Sequence, residues 1–236
     1  MSNAKSDMNI WGHLGELRKR VFRAVIGFLI TTMVCFAFAD KIIDYISIPI
    51  GGIQQLQSIE VTENMSVFMR VSLLSGFILA FPFILFQVLA FVMPGLTKKE
   101  QRWVKLSIPI AGVLYLAGAA FAFYVMVPAA VPFLVSFLGI PTTPRLANYM
   151  SFVTNMIFWI GLCFEFPLLA FVLAKINIIT AKGLAKQWRI AIVAISVLAA
   201  VISPTVDPIN MGILMAPLIV LYFISIIFAV IAKRNK

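Results

Sequence analysis

The chain has 236 residues, of which 62% are hydrophobic and 12% charged, and its formal net charge is +10. A soluble domain averages about a quarter charged residues, and it has too little interior to bury so many apolar side chains. The composition therefore excludes an ordinary soluble domain and predicts a polytopic membrane protein, in agreement with the mean hydropathy of +1.03.

The apolar segments predict six transmembrane helices, because crossing the hydrocarbon core takes about 20 apolar residues. In chain order they are residues 24–39, 67–92, 106–127, 149–174, 190–203 and 209–232. Residues 1–23 form a polar, basic segment, and no small-residue cleavage site follows the first helix, so we expect that helix to be retained. No connecting segment is long enough to fold separately, so we expect residues 1–236 to form a single all-α integral membrane domain.

Several of these helices carry features that disturb a regular span. The fifth covers only about 21 Å at 1.5 Å per residue, so either the membrane is thinned beside it or the helix gains a turn near Pro204. Prolines inside four other helices predict kinks, because each removes a backbone donor: Pro82, Pro109, Pro167 and Pro217. The sequence PAAVPFLVSF, residues 128–137, predicts an apolar half-helix at the membrane interface.

The basic residues predict the orientation. Of the 19 lysines and arginines, 16 lie before the first helix, after the second, after the fourth or at the carboxyl end. The other three are Lys41, Arg70 and Arg145. By the positive-inside rule, both termini are expected in the cytoplasm, and the protein in the cytoplasmic (inner) membrane. A nucleic-acid surface is not expected, since the basic residues fringe helix ends beside tryptophans instead of forming a soluble face.

Catalytic motifs are missing from the sequence. The single histidine, His13, leaves no histidine-pair metal site, Cys35 and Cys163 sit alone in apolar segments, and no G-x-S-x-G motif occurs. We therefore expect no catalytic residues, no metal, no cofactor and no enzyme activity. A solitary histidine outside the helices also disfavours an intramembrane protease.

Glu165 is the one acid deep inside a predicted helix, slightly to the cytoplasmic side of its middle. A charge there costs on the order of 3 kcal/mol, so such a residue is by default functional and faces the protein interior. A carboxylic acid hydrogen-bonded for packing alone is the alternative. Asp207 lies in the short turn between the fifth and sixth helices, where it either caps the last helix or has a functional role.

Acids are scarce on the basic side of the membrane. Glu16 and Glu100 are the candidates for capturing a cationic ligand, which would need short, bidentate contacts to overcome the surrounding positive charge. The alternative is local: Glu16 pairs with Arg20 at i, i+4, and Glu100 neutralises Lys98 or Arg102.

Four segments together closely resemble the TatC family, the multispanning receptor subunit of the twin-arginine protein translocase. They are HLGELRKR at residues 13–20, FPFILFQVLAFVMPGLTKKEQR at 81–102, YMSFVTNMIFWIGLCFEFPL at 149–168 and SPTVDP at 203–208. The resemblance covers essentially the whole chain in order. The H-L-x-E-L-R-x-R start and the F-E-x-P of the fourth helix are specific in combination, although each alone would be weak.

The resemblance implies a six-helix bundle shaped like a cupped hand, with kinked helices and both termini inside. It implies binding of folded precursor proteins through signal peptides that bear consecutive arginines. It further implies association with single-span TatA/TatB-type subunits and, we expect, self-association, with translocation driven by the proton-motive force.

Residue roles follow from motif position under this resemblance. Glu16 and Glu100 would contact the twin arginines, with Leu14, Arg18 and Phe91 shaping the same patch. Glu165 and Asp207 would meet partner subunits, and Pro49 and Pro82 match structural prolines of the family. Two places depart from the family pattern: Thr62-Glu63-Asn64-Met65 stands where T-E-P-F is frequent, and Ile209-Asn210-Met211 where many relatives have a Ser-Gln pair.

A proton-coupled secondary transporter that uses Glu165 is the main rival function. Transporters usually contain repeats with broken helices at matching positions. No such repeat relates the first three predicted helices to the last three.

Overall fold

The computed structural model describes residues 3–135, 143–202 and 208–234. Within these ranges the secondary structure is helical apart from one isolated β-bridge between Gln57 and Arg145. The α-helices in chain order are α1 Asn3–Phe36, α2 Ala39–Ser47, α3 Glu63–Val92, α4 Lys98–Phe121, α5 Val127–Val135, α6 Leu146–Phe164, α7 Phe166–Lys175, α8 Ala181–Lys186, α9 Trp188–Ile202 and α10 Pro208–Arg234.

Four helical units are long and apolar enough to cross a membrane: Glu63–Val92, Glu100–Val135, Leu146–Lys175 and Met211–Ala232. They coincide with the second, third, fourth and sixth predicted helices. A fifth candidate is the bent pair Leu14–Phe36 and Ala39–Ile50, whose axes differ by 75°. The described residues therefore confirm a multi-helix membrane protein, with four or five spans by length and composition.

The first predicted helix, residues 24–39, lies in a longer helix and extends past its end. Helix α1 already begins at Asn3 and ends at Phe36, so much of the polar segment 1–23 is helical. The chain then turns and α2 buries Ile43 and Ile46 while Asp40 and Lys41 stay exposed. The break falls inside one apolar run, which is why hydropathy did not reveal it.

The predicted half-helix at residues 128–137 was also wrong as a separate element, over the part that the structure describes. Helix α4 continues through a π-helical turn, Ala122–Met126, directly into α5. The wider turn lies just before Pro128, whose ring and missing N–H disfavour regular α geometry. Residues 136 and 137 lie outside the described ranges.

Over the described residues the fifth predicted helix corresponds to α9, which has 15 residues. Residues 203–207, including Pro204, lie outside the described ranges, so the alternative of an extra turn there stays untested. Of the four predicted proline kinks, only Pro167 coincides with a helix break, between α6 and α7. Helices α3, α4 and α10 run on through Pro82, Pro109 and Pro217.

Helix packing relies on close approaches at small residues. Helix α1 runs along α3, and a Cβ on Gly76 would lie 2.6 Å from the Cα of Thr32. The Thr31 hydroxyl donates to the Gly76 carbonyl at 2.8 Å, which joins the same two helices. In membranes, where helices gain little from hydrophobic burial, such contacts supply the association energy. The central core forms where α3, α5 and α6 meet, around Val71, Val127 and Val153.

Candidate functional site

Glu16 is half-buried on α1 and binds a guanidinium of its own chain. The Nε of Arg20 donates to its Oε1 at 3.0 Å, and Arg20 Nη2 reaches the same oxygen. This is the i, i+4 pair that the sequence offered as the local alternative. Pairs of this kind contribute only about 0.3–0.5 kcal/mol, so the carboxylate can exchange Arg20 for an external cation at little cost.

Glu100 is positioned by the start of α4. The Thr97 amide donates to its Oε2 at 2.9 Å and the Thr97 hydroxyl at 2.8 Å, while the Glu100 amide points back at the Thr97 hydroxyl, which completes a capping box. The next residue, Gln101, donates to the Met93 and Leu96 carbonyls at 3.0 and 3.1 Å. These bonds fasten the turn Met93–Gly95 to α4, so the Glu100 backbone is held firmly.

An apolar cavity of about 420 Å³ lies between α1 and α3 and is bordered by Arg20 of the Glu16–Arg20 pair. Arg20, the partner of Glu16, lines it together with Phe91 near the end of α3. Leu14 and Arg18 are exposed on α1. The structure thus places Phe91 and the Glu16–Arg20 pair at one recess, and Glu100 at the start of the helix that follows α3.

Gln87 is a further polar residue of this cavity that the sequence analysis missed. It is buried, and its Oε1 has no hydrogen-bond partner among the described residues. Because an unpaired buried acceptor is costly, this carbonyl is available to a donor that enters the cavity. Its signal in the sequence was a lone amide within an otherwise apolar run.

Glu165 lies at the break between α6 and α7, where Pro167 follows it by two residues. Its side chain is 4% exposed, and its Oε1 has no hydrogen-bond partner in the described part of the chain. No ion pair of Glu165 occurs there either. The acid is therefore interior, as the sequence predicted, and one of its oxygens is unsatisfied by the bundle.

The surroundings of Glu165 depend on an exceptionally close contact between α4 and α6. A Cβ on Gly118 would lie 2.9 Å from the Cα of Gly161, and a Cβ on Gly161 would meet the Tyr115 ring at 2.8 Å. Tyr115 is fully buried, interacts electrostatically with Glu165, and its hydroxyl also lacks a partner among the described residues. The Glu165 carboxyl and the Tyr115 hydroxyl thus lie in the interior without a hydrogen bond between Glu165 Oε1 and the hydroxyl.

Of the remaining candidate residues, the structure describes Pro49 and Pro82. Pro49 is the middle residue of a 3-10 turn, Ile48–Ile50, which is followed by Gly51 with φ of 95°. Pro82 packs against α4, where a Cβ on Gly112 would lie 3.0 Å from its Cγ. Asp207 lies outside the described residues. No group of three or more His, Cys, Asp and Glu side chains that could hold a metal ion occurs among the residues that were described.

A buried acid at the opposite end of the bundle was missed altogether. Glu63, at the start of α3, is 2% exposed and pairs with Arg145 just before α6. The signal in the sequence was weak. Glu63 is an acid just before a predicted helix, and Arg145 is one of the three basic residues outside the positively charged segments.

These features define a multi-pass helical membrane protein with sparse polar groups inside its bundle. The family model described as Sec-independent protein translocase protein (TatC) matches residues 12–217. The chain belongs to the TatC family of translocase components, which is not a known enzyme family, and the resemblance inferred from the sequence is confirmed.

Individual relatives cover nearly the whole chain. The Sec-independent protein translocase protein TatC of Carboxydothermus hydrogenoformans is 34% identical over 232 residues, covering 97% of this chain and 96% of the relative. The protein of the same name from Campylobacter jejuni is 35% identical over 231 residues, covering 94% and 93%. A crystal structure of the twin arginine translocase receptor TatC matches with a TM-score of 0.82 at 32% identity, covering 94% of this chain and 100% of that one.

Proposed function

We propose that this protein is the receptor subunit of a twin-arginine translocase, which binds the signal peptides of folded precursors and scaffolds single-span TatA/TatB-type partners for export driven by the proton-motive force. It acts by recognition, without covalent catalysis. The family membership supports the role in translocation, and the residue-level roles below are part of the proposal.

The observation that carries the proposal is the Glu16–Arg20 contact. The Glu16 carboxylate accepts two N–H groups of a guanidinium in this structure, one of them at 3.0 Å. An arginine of a signal peptide presents the same group, so it can take the place of Arg20. Charge-assisted contacts of this kind are about twice as strong as neutral hydrogen bonds.

Glu100 supplies the second carboxylate in this proposal, and Leu14, Arg18 and Phe91 border the peptide. One oxygen of Glu100 is occupied by Thr97, which fixes the orientation of the carboxylate. The apolar cavity beside Phe91 suits an apolar segment that accompanies the arginines.

Glu165, together with Asp207, is the proposed contact for partner helices. An unsatisfied carboxyl oxygen in a nonpolar interior gives a partner helix with a polar residue one favoured docking position. Such an interhelical hydrogen bond contributes about 1 kcal/mol in a membrane.

The proposed topology has six spans within one domain, with both termini in the cytoplasm and the protein in the cytoplasmic membrane. Helix α1 with α2 and the short α9 would add to the four long spans. Cysteines introduced in residues 98–105 and 182–189 should react only from the cytoplasmic side, since both segments are rich in basic residues.

Site-specific crosslinking to a twin-arginine signal peptide tests the receptor role. Glu16→Gln and Glu100→Gln should each weaken the crosslink at least several-fold, because they remove the charge while an amide at position 100 can still serve the capping box. The Glu16→Ala and Glu100→Ala variants should weaken it as well. A precursor with Lys-Lys in place of the arginines is the ligand control. Glu60→Gln is the matched control variant, because Glu60 is an exposed acid on the opposite expected side of the membrane. Undiminished crosslinking in both the Glu16 and the Glu100 variants would refute the assignment of these residues to signal-peptide binding.

A further inference from the structure

Arg70 is an exposed cation within a helix that crosses the membrane. It lies in the second turn of α3, inside the predicted hydrocarbon segment that starts at residue 67. Its Nη1 donates to the hydroxyl of Ser151 on α6. No carboxylate pairs with it among the described residues, where the ion pairs join Glu16 to Arg20 and Arg145 to Glu60 and Glu63.

Polar residues of α6 extend from this arginine along one open face. Asn148, Ser151 and Asn155 follow one another at intervals of three and four residues, so they share a side of the helix. Both asparagines are exposed. In a helix whose other side chains are largely buried and apolar, this stripe is the polar exception.

Two recesses meet at Asn155. One, of about 300 Å³, is lined by Arg70, Thr154 and Asn155 together with Phe28, Leu73 and Phe158. The other, of about 490 Å³, is lined by Asn148, Ser151 and Asn155 and reaches Ile202, the last residue of the short helix α9. The guanidinium of Arg70, the two amides and the Ser151 hydroxyl therefore border two recesses that share Asn155 and whose remaining walls are largely apolar.

We propose that Arg70, Ser151 and Asn155 bind the phosphate group of a membrane phospholipid where these recesses meet. A guanidinium carries five N–H donors, and Ser151 accepts from only one of its nitrogens, so most of its hydrogen-bonding capacity is open. An arginine at membrane depth requires an anion or water, and its planar fork matches phosphate oxygens.

The apolar part of the surface favours a lipid over a protein carboxylate as the occupant. Phe28, Leu73 and Phe158 continue the recess beside the polar groups, which is the arrangement that a phosphate followed by acyl chains needs. Ile202 at the end of the short α9 lines the neighbouring recess, so thinning of the membrane beside α9 would bring the headgroup zone close to Asn155. Under the expected orientation this is the outer leaflet, although the chemistry of the site does not depend on which leaflet supplies the lipid.

Native mass spectrometry of the detergent-purified protein, titrated with phosphatidylglycerol, tests the site. Arg70→Gln should weaken binding of the first lipid roughly tenfold, which is the loss expected for charge-assisted hydrogen bonds. Arg70→Lys should fall between that variant and the wild type, because an ammonium keeps the charge but loses the fork. Lys41→Gln is the matched control, since Lys41 is an exposed cation on the same expected side of the membrane. It should leave lipid binding unchanged.

Two further ligands distinguish the source of the phosphate. Diacylglycerol, which lacks the phosphate, should bind without dependence on Arg70, and inorganic phosphate should bind more weakly than the lipid. Equal lipid binding by wild type and Arg70→Gln, or an equal loss in Lys41→Gln, would overturn the proposal. Inorganic phosphate bound as tightly as the lipid would also overturn the proposal. So would an acidic transmembrane peptide whose binding depends on Arg70, if lipid binding does not depend on Arg70. Equal unfolding midpoints of the variants establish that each is folded.

Discussion

Arg145, just before α6, and Glu63, at the start of α3, form an ion pair across 82 residues of sequence. The Nε of Arg145 donates to Glu63 Oε2 at 3.0 Å, while the amides of Ala147 and Ile59 donate to the same carboxylate at 2.7 and 3.0 Å. Arg145 also contacts Glu60 at 2.7 Å. These hydrogen bonds to Glu60 and Glu63 raise the pKa of the Arg145 guanidinium above its ordinary value, so it stays charged. Together these contacts fasten the start of α3 and the loop before it to the segment that leads into α6.

Glu63→Gln should lower the midpoint of thermal unfolding in detergent by several degrees. The substitution removes the charge from a buried pair and turns an NH₂ group toward backbone N–H donors, which leaves buried polar groups unsatisfied. Glu60→Gln is the control, because Glu60 is exposed and exposed pairs contribute little. It should change the midpoint only slightly. Similar midpoints for both variants would contradict a structural role for the buried pair.

Glu165→Gln should preserve the crosslink to a signal peptide and impair partner assembly or export. The amide keeps the size of the side chain while changing its hydrogen-bonding pattern at the unsatisfied position. Co-purification with single-span partners and an export assay in cells measure the two effects. Normal assembly and export in this variant would leave packing as the role of Glu165, and a response of small-solute transport to Glu165→Ala would revive the transporter hypothesis.

Thr97→Ala should destabilise the protein by about 1 kcal/mol, the usual cost of losing an N-cap side chain. Its hydroxyl both caps α4 and donates to Glu100 at 2.8 Å. Unfolding in denaturant measures this loss of stability, and the Glu100→Gln variant should be destabilised only slightly. Signal-peptide crosslinking then separates the charge of Glu100 from the cap. If Thr97→Ala abolished the crosslink as fully as Glu100→Gln, orientation by Thr97 would matter as much as the charge.

Gly118→Ala should destabilise the bundle by about 1–3 kcal/mol, the range for overpacking a close contact. The new methyl group would meet the Cα of Gly161 at 2.9 Å and the Phe164 ring at 2.8 Å, so α4 and α6 must move apart. Gly212→Ala offers a matched control in another helix, where a Cβ meets nothing within 4 Å. That variant should be neutral or slightly stabilising, because alanine has the higher helix propensity. Equal effects of the two substitutions would show that the contact is not tight.

Long apolar helices were predictable because hydrophobicity accumulates over many residues. The second predicted helix ends at Val92, as α3 does, and the predicted helix 209–232 lies within α10. Breaks were harder. The bend after Phe36 and the join of α4 to α5 depend on how α2 and Pro128 fit their neighbours, which an apolar run does not encode.

The candidate site divides in the same way. The interior position of Glu165 was predicted from its depth in an apolar run. The Glu16–Arg20 pair was one of two alternatives that the sequence left open, since i, i+4 geometry is a local property. The capping box that joins Thr97 and Glu100 is equally local but was not predicted, because Lys98 and Arg102 offer opposite charges at closer or similar spacing.

By itself, the sequence determined that this is a helical membrane protein, where most of its long helices lie, and to which family it belongs, because these depend on local hydrophobicity and on motif order. Only the tertiary structure decided which polar groups meet. Arg145 reaches Glu63, Arg70 reaches Ser151, and Gly118 touches Gly161 across helices far apart in the chain. Such pairings are set by helix rotation and close approach, which residue spacing within one helix cannot specify.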